Sequence, residues 1–181
     1  VRGRSGLQDD PNEGAAREFV RLLNDRGIRV DNGWGSGIAS TLVPVTVTVD
    51  SEPLSAIVGE MLLTSDNNTA EMLLKEMGVA TTGEGTRAGG LNAMTQTIEA
   101  LGVEMEGVSF RDGSGLSNQN RATCTALLDV VQLGRGTSVD VGLPVASESG
   151  TLAEEFVATD MDGRLRGKTG TLTDVKALAG V

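Results

Sequence analysis

Gly167-Lys168-Thr169-Gly170-Thr171-Leu172 is the stretch around which the rest of the chain is read. It reads as a strand, and strand alternation puts Lys168 and Gly170 on one face and Thr169 and Thr171 on the other. A glycine inside a strand marks a place where a second backbone can come close. A strand edge with free amides can take up a peptide as an added strand. Lys168 would offer that peptide's carboxylate a cation, and the threonines would offer hydroxyls. Taken alone, the six residues read more simply as a surface hairpin strand. Working outward, Thr173-Asp174 reads as a two-residue turn into a second strand over residues 175–181, and residues 160–163 read as the turn before the first.

Composition narrows the chemistry. The 181 residues carry 39% hydrophobic and 22% charged side chains, a globular profile with length enough for one domain and a real core. Aromatic residues make up only 2% and the net charge is −10, which argue against a base-stacking or polyanion-binding surface, so no nucleic-acid partner is expected. The chain contains no histidine, which excludes Ser-His-Asp and Cys-His catalysis and histidine-ligated metal within it. Cys124 is the single cysteine, so no intrachain disulfide exists; its apolar surroundings predict a buried small hydrophobe. No run of 18 apolar residues is present, and no signal peptide opens the sequence.

Upstream, the chain reads mostly as helices. Asp10-Pro11-Asn12-Glu13 is a helix start, followed by Ala16, Phe19, Val20 and Leu23 on one face and a stop at Gly27. Gly33, Gly35 and Gly37 mark a loop, and residues 43–49 alternate as a strand. Pro53 starts a helix with Leu54, Ile57, Val58, Met61 and Leu62 inward. Ser65-Asp66-Asn67-Asn68 is a polar turn, either a capped helix–helix connection or a turn that aims a hydroxyl and an amide into a cleft. The helix from Thr69 is expected to end at Gly78, and Gly83, Gly85, Gly89 and Gly90 to form a link. A further helix buries Leu91, Met94, Ile98 and Leu101 and stops at Gly102. Residues 108–110 suggest a short strand, residues 111–117 a tight loop, Thr123 a helix cap, and residues 152–157 a short helix.

Three motifs now stand in order: Ser65-Asp66-Asn67, Asp112-Gly113-Ser114-Gly115-Leu116-Ser117, and Lys168-Thr169-Gly170-Thr171. Together they resemble the penicillin-binding protein and serine β-lactamase superfamily, for which Ser-x-x-Lys, Ser-Asp-Asn and Lys-Thr-Gly are the known motifs. The middle motif, with Asn120-Arg121, is similar to the D-alanyl-D-alanine carboxypeptidase/endopeptidase family of low-molecular-mass penicillin-binding proteins. Leu143-Pro144-Val145-Ala146, Gly150-Thr151-Leu152 and the end at Lys176-Ala177-Leu178-Ala179-Gly180 resemble it too. The likeness covers nearly the whole chain, most firmly residues 51–181.

The resemblance implies an α/β fold, incomplete here: an antiparallel sheet flanked by helices, with a helical lobe. Residues 1–181 would be a partial transpeptidase-like domain, with residues 51–134 the helical lobe and residues 160–181 the sheet strands. It implies serine-type cleavage of D-Ala-D-Ala in peptidoglycan peptides through an acyl-enzyme, inhibited by β-lactams, outside the cytoplasmic membrane and without cofactor or metal. In that reading Ser65 passes a proton to the leaving amine and Asn67 holds the substrate amide and the catalytic lysine. Lys168 attracts the terminal carboxylate with help from Thr169 and Thr171, and the Thr171 N–H is half of an oxyanion hole. Gly170 lets the substrate strand lie close, while Asp112, Gly113, Ser114 and Gly115 shape the cleft rim.

One departure stands against these matches. The lysines are Lys75, Lys168 and Lys176, and the residues three before them are Met72, Leu165 and Thr173, so no Ser-x-x-Lys is present. The expectation is an internal piece of a longer protein whose N-terminal part supplies the nucleophile and acts as this chain's structural partner, stabilising it. Two alternatives remain. A class A β-lactamase would carry a Glu-x-x-x-Asn loop, which no glutamate from Glu71 to Glu155 begins. A non-catalytic relative binding peptidoglycan or a partner protein would explain the missing nucleophile, though not the retention of Ser65, Asn67, Lys168 and Thr169 together.

Overall fold

In a computed structural model the described residues are 1–181 except 1, 4, 5, 8, 9, 39, 41, 43, 45 and 46. They form two compact units, Val1–Asp50 and Ser51–Val181. The first unit holds a two-stranded antiparallel ribbon, β1 (Arg2–Gly3) with β2 (Gly6–Leu7), and helix α1 (Pro11–Asp25). Asp10 caps α1 as its sequence predicts, its carboxylate accepting from the Asn12 and Glu13 N–H groups. The strand expected over residues 43–49 falls at 43, 45 and 46 outside the described residues, and residues 47–49 are not in a strand.

The second unit runs α2 (Leu54–Thr64), α3 (Asn67–Thr82), α4 (Arg87–Ala100), α5 (Cys124–Leu133), α6 (Ser138–Gly142), a 3-10 turn (Gly150–Leu152), β3 (Gly167–Leu172) and β4 (Val175–Gly180). α3 and α4 pack as a helical hairpin, and two sequence expectations change there. Gly78 does not end α3; the helix continues to Gly83, whose φ of 78° provides the left-handed stop. Gly89 and Gly90 are not a link but the buried first turn of α4. Both departures have one cause. A Cβ on Gly78 would lie 2.4 Å from Glu84 O, and one on Gly90 would lie 2.1 Å from Leu74 O. The glycines are spent on close helix contact, with Leu74 and Ala93 buried alongside.

α2 packs on α6 by the same device, since a Cβ on Gly142 would lie 2.6 Å from Gly59 Cα. Its apolar face is only half covered: Ile57, Val58, Met61 and Leu62 are part-buried, and Leu54, expected inward, is exposed. Cys124 is exposed rather than buried, because it opens α5 and Ala126 takes the buried position. The expected helix over 152–157 is a 3-10 turn followed by turns, and Phe156 and Ala158 adopt φ of 64° and 57°, which no helix continues through.

β3 and β4 form the hairpin read from the sequence, paired from Gly167↔Gly180 to Leu172↔Val175 across the two-residue turn. Arg166 and Val181 exchange backbone hydrogen bonds of 2.8 and 2.9 Å, and this fixes the phase of the ladder. Residues 166, 168, 170 and 172 turn their peptide groups toward β4, whereas 167, 169 and 171 turn theirs to the outer edge. The Gly167 N–H accordingly reaches outward to Pro144 O at 3.0 Å. The buried segment 143–146 lies beside the start of β3 and leaves the rest of that edge to the cleft described next.

Candidate active site

The site begins at the join between α2 and α3. Ser65 closes α2 in the left-handed conformation, φ 55° and ψ 48°, with its N–H bonded back to Met61 O. A non-glycine residue held there costs roughly 1–2 kcal/mol, and such positions cluster at functional sites. Asp66 then caps α3, accepting from the Asn68 and Thr69 N–H groups at 2.9 and 3.3 Å. Of the two sequence readings of the polar turn, capping by Asp66 and presentation of Ser65 and Asn67 to a cleft both hold.

The decisive contact crosses 103 residues. Lys168 Nζ donates to Ser65 Oγ at 2.7 Å and to its neighbour's carbonyl, Thr169 O, also at 2.7 Å. Burial pushes the Lys168 ammonium below the ordinary lysine range. Thr169, on the opposite face of β3, donates its hydroxyl to Thr151 Oγ1 of the 3-10 turn at 2.9 Å. Gly170 shares the Lys168 face and is exposed; a Cβ there would meet only Ala177 Cβ, at an ordinary 3.6 Å. The local fold therefore does not require glycine at 170, and the space it leaves belongs to the cleft. The ladder phase points the Thr171 N–H to the open edge.

The opposite wall is the loop 111–117. Asp112 organises it from within: Oδ1 accepts from the Gly115 N–H at 2.8 Å and Asn120 Nδ2 at 2.9 Å, and Oδ2 accepts from the Ser117 N–H at 2.6 Å. Asn120 in turn accepts from the Arg111 N–H at 2.7 Å. A cleft of about 480 Å³ opens between these walls. It is lined by Ser65, Asn67, Lys168, Thr169, Gly170 and Thr171, together with Gly113, Ser114 and Gly115. Asp112 is the one sequence-predicted site residue that does not line it; it stands behind the wall it holds.

Two residues of the site carried no role in the sequence reading. Thr151 sits in the quoted Gly150-Thr151-Leu152, but nothing local says that its hydroxyl meets Thr169. Glu71 accepts from the Gly113 and Ser114 backbone and from the Ser114 hydroxyl, tying α3 to the loop. Its signal was its place four residues after Asn67, on the same helix face. Among the described residues no group of three or more His, Cys, Asp or Glu could hold a metal ion, and no helix is long and apolar enough to cross a membrane.

Known structures share this architecture. Penicillin binding protein 4 of Haemophilus influenzae matches with a TM-score of 0.66 at 26% identity, over 72% of this chain and 30% of that one. The structure of the same protein complexed with a β-lactam matches with a TM-score of 0.72 at 22% identity, over 97% of this chain and 42% of that one. The fold is thus that of the penicillin-binding proteins, helices against an antiparallel sheet, as the motifs implied.

The sequence matches the D-Ala-D-Ala carboxypeptidase 3 (S13) family over residues 5–181, and the chain belongs to that family. A D-alanyl-D-alanine carboxypeptidase of an Actinomadura species is 35% identical over 186 residues, covering 95% of this chain and 34% of that protein. The chain spans about a third of the length of the curated relatives it matches.

Proposed function

We propose that the protein carrying this chain is a serine-type D-alanyl-D-alanine carboxypeptidase or endopeptidase. It acts on peptidoglycan peptides outside the cytoplasmic membrane, and β-lactams acylate its nucleophile. The observation that carries this reading is the 2.7 Å contact between Lys168 Nζ and Ser65 Oγ beside an open strand edge. Family membership and the relatives' activity support it.

In the proposed reaction a serine hydroxyl attacks the carbonyl carbon of the penultimate D-Ala. The C–N bond breaks, the terminal D-Ala leaves as an amine after taking up a proton, and water then hydrolyses the ester. The nucleophile and its lysine come from the part of the relatives' length that this chain does not span, since no Ser-x-x-Lys occurs in the 181 residues. Ser65 relays the proton to the leaving amine, and Asn67 holds the substrate amide and the catalytic lysine. Lys168, aided by the Thr169 and Thr171 hydroxyls, holds the terminal carboxylate. The substrate lies as an added strand along β3, where Gly170 makes room and the outward Thr171 N–H supplies half of the oxyanion hole. Residues 51–134 would be the mostly helical lobe of this transpeptidase-like domain and residues 160–181 its sheet strands, and the lining of the cleft by Gly113, Ser114 and Gly115, held from behind by Asp112, supports a cleft-shaping role for that loop.

Incubating the full gene product with a diacetyl-Lys-D-Ala-D-Ala peptide and quantifying free D-Ala tests the reading. Release that benzylpenicillin blocks is the expected result; folded protein that neither releases D-Ala nor is acylated by benzylpenicillin would refute it.

A further inference from the structure

Glu71 does not line the cleft, yet it holds more of the cleft's architecture than any sequence motif announced. Its side chain is only 17% exposed. Oε1 accepts from the Gly113 N–H at 2.8 Å, the Ser114 N–H at 3.0 Å and the Ser114 hydroxyl at 3.0 Å. Oε2 accepts from Arg87 Nε of α4 at 3.1 Å. Burial raises the Glu71 carboxyl, but the hydrogen bonds from Ser114, Arg87 and Gly113 outweigh it and hold the group below the ordinary glutamate range, so it is ionised at neutral pH.

A second observation fixes the same junction. A Cβ on Gly113 would lie 2.9 Å from both Ala70 O and Leu74 Cβ, so the loop backbone is seated directly on α3. Asp112 sets the shape within the loop, whereas Glu71 and the Gly113 contact set where that shape stands on the helix. Asn67 begins that helix one turn earlier, on the same face. The wall so placed ends in Leu116, which lines the cleft and is 55% exposed.

We propose that Glu71 is a positioning residue that sets the separation between Asn67 and the Ser114–Leu116 wall, and with it the fit of the substrate peptide against β3. The inference rests on the acyl-transfer reading above. It asks for an acceptor oxygen at this place rather than for a charge. Glutamine keeps that oxygen for the three loop donors and turns its NH2 toward Arg87, a guanidinium that is 58% exposed and whose pairing matters little. Alanine leaves two backbone donors without their acceptor.

The test compares Glu71→Ala, Glu71→Gln, Arg87→Ala and Ser114→Ala in the full gene product. KM and kcat for D-Ala release are measured with the acylation rate by a fluorescent penicillin and a thermal melt. A misplaced wall is expected to raise KM about tenfold in Glu71→Ala and slow acylation by a similar factor, with kcat changed less than about threefold. Ser114→Ala is expected to raise KM about threefold, and Glu71→Gln and Arg87→Ala to stay within about twofold of the parent. Unchanged KM and acylation in folded Glu71→Ala would overturn the inference alone, as would a Glu71→Gln variant as impaired as the alanine. Should Glu71→Ala not fold, Ser114→Ala decides, and a parental KM there overturns the inference. A parent protein that neither acylates nor releases D-Ala overturns the acyl-transfer reading and this inference with it.

Discussion

The two walls of the cleft are built by opposite means. The helical wall is cross-braced: Asp112 and Glu71 between them accept six hydrogen bonds from the loop and Asn120, and Gly113 is pressed into α3. The strand wall is a two-stranded hairpin whose outer edge, beyond the Gly167 hydrogen bond to Pro144, carries one lysine contact to Ser65 and one threonine contact to Thr151. A braced wall fixes geometry in advance, which is what positioning requires. A strand edge with outward peptide groups is unsatisfied until something pairs with it, which is what peptide capture requires. The division predicts that damage to the strand wall appears in the chemistry and in substrate binding with stability little changed, and that damage to the helical wall appears in stability, reaching substrate fit only where the seat of the loop on α3 is lost.

Replacing Lys168 by alanine is the severest challenge to that division. It should lower penicillin acylation by about 10²–10³-fold while moving the melting temperature little, as for loss of one positioned proton-transfer or charge-stabilising group. Equal losses in melting temperature and rate would erase the distinction between the walls.

Asp112→Ala should do the reverse. Three donors lose a charged acceptor, and chemical denaturation should show a loss of about 2 kcal/mol. A variant as stable as the parent would mean that the loop is held by α3 alone.

Gly170→Val sharpens the strand side. A Cβ has room against Ala177 and valine suits a strand, so folding should be unharmed while KM rises about tenfold because the substrate's backbone can no longer come close. A parental KM would remove peptide addition at this edge.

Thr151→Val should give the smallest effect, about a threefold rise in KM, from loss of one exposed hydroxyl contact to Thr169.

The pH response separates charge from structure. Because burial lowers the Lys168 pKa in the folded protein, the folded state binds fewer protons than the unfolded one between the two values. Stability from this group therefore rises with pH across that window, which lies below the ordinary lysine range. Over the same window KM for a carboxylate-ended substrate should rise as the cation is lost, and a substrate amidated at its C-terminus should show no such limb.

The sequence was most legible where one residue settles one local choice. The Asp10 and Thr123 caps follow from side chains accepting from their nearest backbone, and the 173–174 turn joins the two strands it was read between. The motif order also placed Ser65 and Lys168 in one site although 103 residues separate them. Glycine was the weak point. Gly78 read as a stop and Gly89 and Gly90 as part of a link, but all three lie inside helices, Gly78 and Gly90 where α3 and α4 touch and Gly89 against Glu84, and a chain alone does not say which backbone will come near. Cys124 misled for a related reason: apolar periodicity names a helix face, not the residues of that face that the fold covers. Glu71 was hidden because its partners lie 42 and 43 residues away.

The most direct test of the cleft as an acyl-transfer site is fluorescent-penicillin labelling of the full gene product, with the adduct located by peptide mass spectrometry. One acyl adduct is expected on a serine three residues before a lysine, outside these 181 residues, with labelling about 10²–10³-fold slower in Lys168→Ala. No adduct on folded protein, or an adduct formed as fast without Lys168, would contradict it.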